Sequence, residues 1–118
     1  MKACHCGLHL PYAECCGPFH RGAASPGTAE RLMRSRYSAY VVEEVPYLLQ
    51  TWHPTTRPAS LQLDGIRWTR LEVLETTGGG MLENEGTVRF LAHHREGVLG
   101  EHSRFVRDRG RWSYLGPL

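Results

Sequence analysis

The sequence predicts a segregated α+β fold, with helices in its first half, a meander of antiparallel strands in its second, and a small cysteine-held knuckle ahead of both. Three observations carry this. Apolar residues from Ala29 to Trp52 recur at helical spacing; after Arg57-Pro58 the pattern changes to period two, broken by Gly65, Gly78-Gly79-Gly80, Gly86, Gly97 and Gly110; and every cysteine falls between positions 4 and 16. A chain of 118 residues, 41% hydrophobic and 22% charged, holds one ordinary core plus a small addition and is too short for two full domains. The expected division is a knuckle over residues 1–22 and an α+β domain over 23–118.

The knuckle reads as Cys4-His5-Cys6, eight further residues, then Cys15-Cys16. Four thiolates complete a tetrahedral zinc shell. Two alternatives compete with that reading. A vicinal Cys15-Cys16 disulfide is strained and a Cys4-Cys6 bridge closes a very small ring, although cross-pairs are geometrically easier. No apolar run of useful length precedes the cysteines, so a signal peptide is not expected; a reducing compartment keeps thiols free or gives them to a metal. Four unrelated free cysteines do not account for such clustering. Neighbouring residues on an extended strand point to opposite faces, so Cys15 and Cys16 can share an ion only from a turn or helix start, for which Gly17-Pro18 supplies the chemistry. The expected cofactor is one structural Zn2+ held by Cys4, Cys6, Cys15 and Cys16. A closed thiolate shell leaves no place for water or substrate, so this zinc carries folding energy and no catalysis, and its loss melts residues 1–20 locally.

Residues 21–27, Arg-Gly-Ala-Ala-Ser-Pro-Gly, form a short linker. Thr28 caps a helix with Glu30 in its first turn, where a carboxylate suits the positive end of the dipole. Ala29, Met33, Tyr37, Tyr40, Val41 and Val45 make its apolar face, with Arg31, Arg34, Ser35 and Ser38 largely elsewhere. Pro46 starts a second short helix through Tyr47, Leu48, Leu49 and Trp52, and Pro54 stops it. A weaker helical turn is expected near Ser60–Leu63. Strands follow near Trp68–Thr76, Gly86–His94, Leu99–Arg107 and Arg111–Leu115, with Arg95-Glu96-Gly97 and Asp108-Arg109-Gly110 as hairpin loops.

A sheet curled round a helix leaves a pocket at its open end. Alternation puts Val88, Phe90, Ala92 and His94 on one face, and Leu99, Glu101, Ser103 and Phe105 on one face of the next strand. Trp112 and Tyr114 join from the fourth strand, and Arg36, Tyr37, Trp52 and His53 from the helices. No catalytic residue is assigned. The pocket candidates are Glu101 or His94 as general base, with Tyr37 or Arg104 stabilising negative charge; the competing reading is a carboxylate held by arginine or tyrosine for structural reasons. His93, next to His94, faces solvent. His5, His9 and His20 surround the knuckle, and each is a chemically ordinary zinc ligand able to replace one cysteine, although four thiolates already suffice.

Arg21, Arg31, Arg34 and Arg36 suggest a basic stripe for RNA or a ribosomal surface, against a solvated helix face paired with Glu30, Glu43 or Glu44. The formal charge of +2 falls to about zero once four thiolates and a dication are counted, which argues against a polyanionic partner. The apolar stretches are a few residues long, so no membrane span and a cytoplasmic location are expected.

Cys4-x-Cys6-Gly7 followed by Cys15-Cys16-Gly17 resembles the SEC-C zinc motif at the tail of the SecA translocation ATPase. The run from Leu10 to His20, with Leu32-Met33-Arg34-Ser35-Arg36-Tyr37-Ser38-Ala39-Tyr40, Leu48-Leu49-Gln50-Thr51-Trp52-His53-Pro54, Ser103-Arg104-Phe105-Val106-Arg107 and Gly110-Arg111-Trp112, resembles the bacterial YchJ family (UPF0225), over nearly the whole chain. The resemblance implies a SEC-C knuckle on a cone-shaped nuclear-transport-factor-two-like (NTF2-like, cystatin-like) domain, and almost nothing about activity. Three departures stand out: Gly7-Leu8-His9 replaces a usual Gly-Ser-Gly turn, Gly100 replaces a histidine before Glu101, and the second cysteine motif many relatives carry at the C-terminus is absent before Leu118. Two functional expectations follow: a zinc-stabilised adaptor whose knuckle meets a protein partner, or a small-molecule-binding protein or enzyme using the pocket. A dimer through the open sheet face is a further expectation.

Overall fold

The computed structural model describes residues 3–118; residues 1 and 2 of the expected knuckle lie outside the described residues. Helix α1 (Gly17–His20) follows a 3-10 turn at Tyr12–Glu14; then come α2 (Ala29–Val42), α3 (Val45–Gln50) and strands β1 (Trp68–Gly78), β2 (Glu85–His94), β3 (Gly97–Asp108) and β4 (Arg111–Pro117). The strands form one antiparallel sheet in the order β1-β2-β3-β4.

Thr28 caps α2 as expected, its Oγ1 accepting from the Arg31 N–H at 3.1 Å. The helix ends at Val42, short of Val45. Continuing it would place Pro46, which has no N–H, against the Val42 carbonyl. Glu43 instead enters the left-handed region at φ 61°, and Pro46 lies in the first turn of α3. The helical turn expected near Ser60–Leu63 is absent; Leu61 and Leu63 pack from an irregular segment against Ala39, Tyr47 and Leu48.

Helix α2 lies over the concave face of the sheet. Ala29, Met33 and Tyr37 meet Leu71, Val88, Ala92, Phe105 and Trp112 in the main core. Ser35, Ser38 and Arg36 are buried too, contrary to a simple one-faced helix. The second side of α2 is covered by the knuckle and α3, so its serines are interior groups that must find hydrogen bonds. Ser35 Oγ donates to Leu32 O at 2.7 Å and accepts from Tyr47 Oη at 2.7 Å.

The β1–β2 hairpin reaches the start of α2 because of its glycines. Ala29 N–H bonds to Gly79 O at 3.0 Å, and a Cβ at Gly79, where φ is +77°, would lie 2.7 Å from Ala29 Cβ. The β3–β4 hairpin turns on Arg109-Gly110, both with positive φ (55° and 80°), the geometry of a type I′ turn. Two register shifts interrupt the outer strand β1, near Trp68/Arg70 and Val73/Glu75, and such bulges blunt an exposed edge. On the convex face Arg70, Glu72 and His93 cluster, with His93 Nε2 3.0 Å from Glu72. No helix among the described residues is long and apolar enough to cross a membrane.

Candidate functional site

The first loop brings Cys4 and Cys6 back against the second pair. Ala3 bridges to Pro11, and Cys4 N–H bonds to Leu10 O at 2.6 Å. Cys15 follows the 3-10 turn, its N–H on Tyr12 O at 3.1 Å, and Cys16 stands at the N-terminus of α1. This turn-to-helix junction lets adjacent cysteines converge. The four sulfur atoms lie within 4.8 Å of one another, with Cys6 Sγ and Cys15 Sγ 3.5 Å apart. A tetrahedral four-thiolate zinc ion, with bonds of about 2.3 Å, has sulfur–sulfur edges of about 3.8 Å, so the donor set fits such an ion. The cysteines are free of disulfides and between 0% and 5% exposed.

Hydrogen bonds within the cluster and burial split the acidities of Cys6, Cys15 and Cys16. Donation from Cys16, ahead of the other contacts, holds Cys6 down at about 5. Its hydrogen bond to Cys6, then burial, pushes the Cys16 thiol well up, and burial raises Cys15. A bound dication would stabilise all four as thiolates.

The surrounding contacts come from α2. Ser38 Oγ lies 3.7 Å from Cys4 Sγ, Arg31 Nη1 donates to Cys15 Sγ at 3.5 Å, and Arg34 Nη1 donates to Cys6 O at 2.6 Å while its Nε pairs with Glu30. Such outer contacts orient ligands and temper the charge of a thiolate site. Of the four arginines of the expected stripe, Arg31 and Arg34 turn into the knuckle, Arg36 is buried and Arg21 is exposed.

His20 is a clamp between knuckle and helix. Its Nε2–H donates to Ser35 O at 2.9 Å, so its Nδ1 accepts from Tyr12 Oη at 2.6 Å. Burial lowers its pKa, consistent with a neutral ring. Both nitrogens are used, and His20 does not replace a cysteine. His5 and His9 are exposed while all four thiols converge. His9 takes φ 63°, next to Gly7 at 92°, so the loop keeps a left-handed residue where the resemblance has glycine. His9→Gly relieves about 1 kcal/mol of strain but raises unfolded-state entropy by a similar amount. The expected outcome is a thermal midpoint changed by only a few degrees and an unchanged metal stoichiometry, read by calorimetry and elemental analysis.

A second feature is the cavity of about 340 Å³ between α2 and the sheet, lined by Arg36, Tyr37, Tyr40, Trp68, Phe90 and Glu101 among others. The register pairs Phe90 with Glu101 and Ala92 with Leu99, which sets their side chains on the concave face as alternation predicts. Glu101 Oε2 accepts from Tyr114 Oη at 2.6 Å and also from Ser103 Oγ. Tyr37 lines the cavity as well.

Two pocket candidates lie elsewhere. Arg104 stands between inward-facing Ser103 and Phe105 and is exposed on the opposite face, because successive strand residues alternate. His94 is outside the cavity: its ring packs edge-on against Trp68 at 5.5 Å, on the side of the Asp64–Glu96 groove. His53 also turns away, its Nδ1 2.7 Å from Thr55 Oγ1. The roles of Ser38, Arg31 and His20 were not readable from motifs; the i, i+4 and i, i+7 spacing of Arg31, Ser35 and Ser38 on one helical stripe was the available signal.

Burial pushes both Tyr37 and Tyr47 up to about 12. Their folded values exceed the unfolded value near 10, so this contribution to stability is whole below about pH 10 and is lost as pH rises through about 12. In an alkaline titration, tyrosinate absorbance from these two is expected to appear only together with loss of far-ultraviolet circular dichroism.

The family model described as "YchJ, middle NTF2-like domain" matches residues 28–117. A UPF0225 protein of Streptomyces coelicolor is 54% identical over 112 residues, covering 94% of this chain and 90% of that one. A UPF0225 protein of Xanthomonas oryzae is 52% identical over 120 residues, covering 95% and 91%. The solution structure of a SEC-C motif containing protein from Rhodopseudomonas palustris superposes with a TM-score of 0.85 at 32% identity, covering 99% of this chain and 98% of that one. A crystal structure of a SEC-C motif containing protein from Psychrobacter arcticus gives 0.80 at 27% identity, covering 99% and 82%. With its four-cysteine metal-binding knuckle and its NTF2-like α+β domain, the chain belongs to the YchJ (UPF0225) family.

Proposed function

We propose that the cysteine cluster holds one structural zinc ion and that the protein is a cytoplasmic binding module whose knuckle presents its outer loop to a protein partner. The observation that carries the reading is the closed, buried shell of four sulfurs. Such a shell has no open coordination position, and soft thiolates select zinc among the available divalent ions. Reduced thiols of this kind persist in a reducing compartment. The metal fixes the loop from His5 to Leu10, on which His5, His9 and Leu10 are exposed, Leu10 by 47%. The inward turn of Arg31 and Arg34 favours a protein over an RNA partner.

The test is elemental mass spectrometry of protein purified without added zinc or chelator, paired with cross-linking of wild type and Leu10→Glu in the native host. One zinc per chain in both, with a cross-linked protein lost only in Leu10→Glu, is the expected result. No metal with oxidised thiols would sink the zinc reading; identical cross-links would remove the adaptor reading and leave the metal site standing.

A further inference from the structure

The cavity under α2 holds two charged residues whose hydrogen bonding is half complete. Arg36 is 5% exposed. Its Nη1 donates to Leu48 O and Thr51 Oγ1, both at 2.7 Å, and its guanidinium carbon lies 5.1 Å from the centre of the Trp52 ring and 4.7 Å from that of Tyr114. Among the described residues no carboxylate pairs with it, and both of its hydrogen bonds leave from Nη1, with no protein acceptor at Nε–H or Nη2–H. Trp52, on the same cavity wall, has a buried indole N–H that also lacks an acceptor. Across the cavity, Glu101 is held by two hydroxyls on Oε2, and among the described residues no protein donor reaches Oε1.

Among the described residues Trp52 Nε1 is the fully buried side-chain atom left without a partner, and native interiors leave few such groups, while the free Arg36 and Glu101 atoms keep some exposure. Here a donor edge and an acceptor share a space walled by Tyr37, Tyr40, Trp68 and Phe90, and their charges cancel. An anionic or cationic guest would bring an uncompensated charge into a largely apolar cavity, which is costly. A neutral guest with a carbonyl for the Arg36 edge and an N–H for Glu101 would satisfy both ends. At about 340 Å³ the space is near the lower limit for ligand pockets, the size of one or two fused rings.

We propose that this cavity binds a small, flat, net-neutral aromatic molecule carrying an amide-type donor and acceptor, either a primary carboxamide or a lactam ring. The inference does not depend on the zinc reading or on the partner of the knuckle. Leu99 and Ile66, 49% and 42% exposed, stand at the mouth.

The experiment is a titration of the isotope-labelled, metal-loaded protein with benzamide, benzoate and benzylammonium, followed by amide shifts. Benzamide is expected to give saturable shifts at Phe90, Glu101 and Tyr114 in the millimolar range suited to so small a ligand, and to bind at least about tenfold more tightly than either charged probe. Glu101→Gln keeps the shape but leaves Arg36 as the net charge, so preference should move towards benzoate. Leu99→Trp, an exposed-site change that leaves the core intact, should block all three. Absence of saturable shifts, equal affinity for the three probes, shifts that persist in Leu99→Trp, or a folded Glu101→Gln protein with unchanged preference would each overturn the proposal.

Discussion

Cys6→Ser is expected to take the metal content from about one ion per chain to near none and to lower the thermal midpoint by roughly 10–20 °C, while residues 28–117 stay folded. Cys6 is fully buried, its sulfur is 3.5 Å from that of Cys15, and its carbonyl receives Arg34. Serine is a poor, harder donor, and three thiolates leave the shell open. Structural zinc contributes about 10–16 kcal/mol in peptides that fold only with metal. Here α2 keeps its sheet-facing contacts without the knuckle, so only the docking energy is lost. Ser35 and Ser38, both 0% exposed, would gain solvent on one side, and the His20 and Arg34 bonds to α2 would break. A loss of about 2–3 kcal/mol, at about 4–8 °C per kcal/mol for a domain of this size, gives about 8–24 °C, which brackets the stated range. Elemental analysis and calorimetry on the same samples check it. Metal loss without any change of midpoint would mean that the knuckle contributes nothing to the domain it covers.

That outcome differs from purely local melting of residues 1–20, and the difference shows what was readable in the sequence. The cysteine cluster was readable, because sulfur chemistry is carried by residue type and spacing. The strands were readable as well: the concave faces of β2 and β3 follow from alternation, which put Glu101 inside, and the β3–β4 turn follows from the Arg109-Gly110 pair. Less readable was α2. Hydrophobic periodicity identifies the side of a helix that meets apolar neighbours, and it treats serine and arginine as solvent-facing. In this fold the second side of α2 meets a cysteine cluster, a histidine and a helix end, so the residues packed there are Arg31, Arg34, Ser35, Arg36 and Ser38. A polar interface of this kind has no apolar stripe to give it away. Arg104 was misplaced for a simpler reason: its chemistry suited a pocket, but strand alternation placed it outward between Ser103 and Phe105.

Arg36 is where that polar interface is most costly to disturb. Arg36→Met is expected to lower unfolding free energy by about 2–4 kcal/mol, from the loss of two hydrogen bonds donated by a charged group and the buried acceptor left behind. The guanidinium satisfies Leu48 O, one of the last carbonyls of α3, where a cation also suits the negative end of the helix. It fixes Thr51 Oγ1 at the α3 exit and lies against Trp52 and Tyr114, the residues through which the chain after α3 bridges to β4. Methionine fills part of the volume and makes none of these bonds. It also leaves Glu101 as the only charged side chain lining the cavity. Lysine keeps the charge but lacks the planar fork that donates in two directions while stacking, so Arg36→Lys should still lose about 2 kcal/mol or more. Urea unfolding gives the measurement, read as a fall in midpoint at constant slope. Pairing Arg36→Met with Glu101→Gln in a double-mutant cycle then separates the two contributions. A coupling of about 0.5–3 kcal/mol is expected if the guanidinium and the carboxylate compensate each other across the cavity. Strict additivity would assign the whole effect of Arg36 to α3 and the aromatic rings, and would remove the charge balance on which ligand selection by this cavity depends.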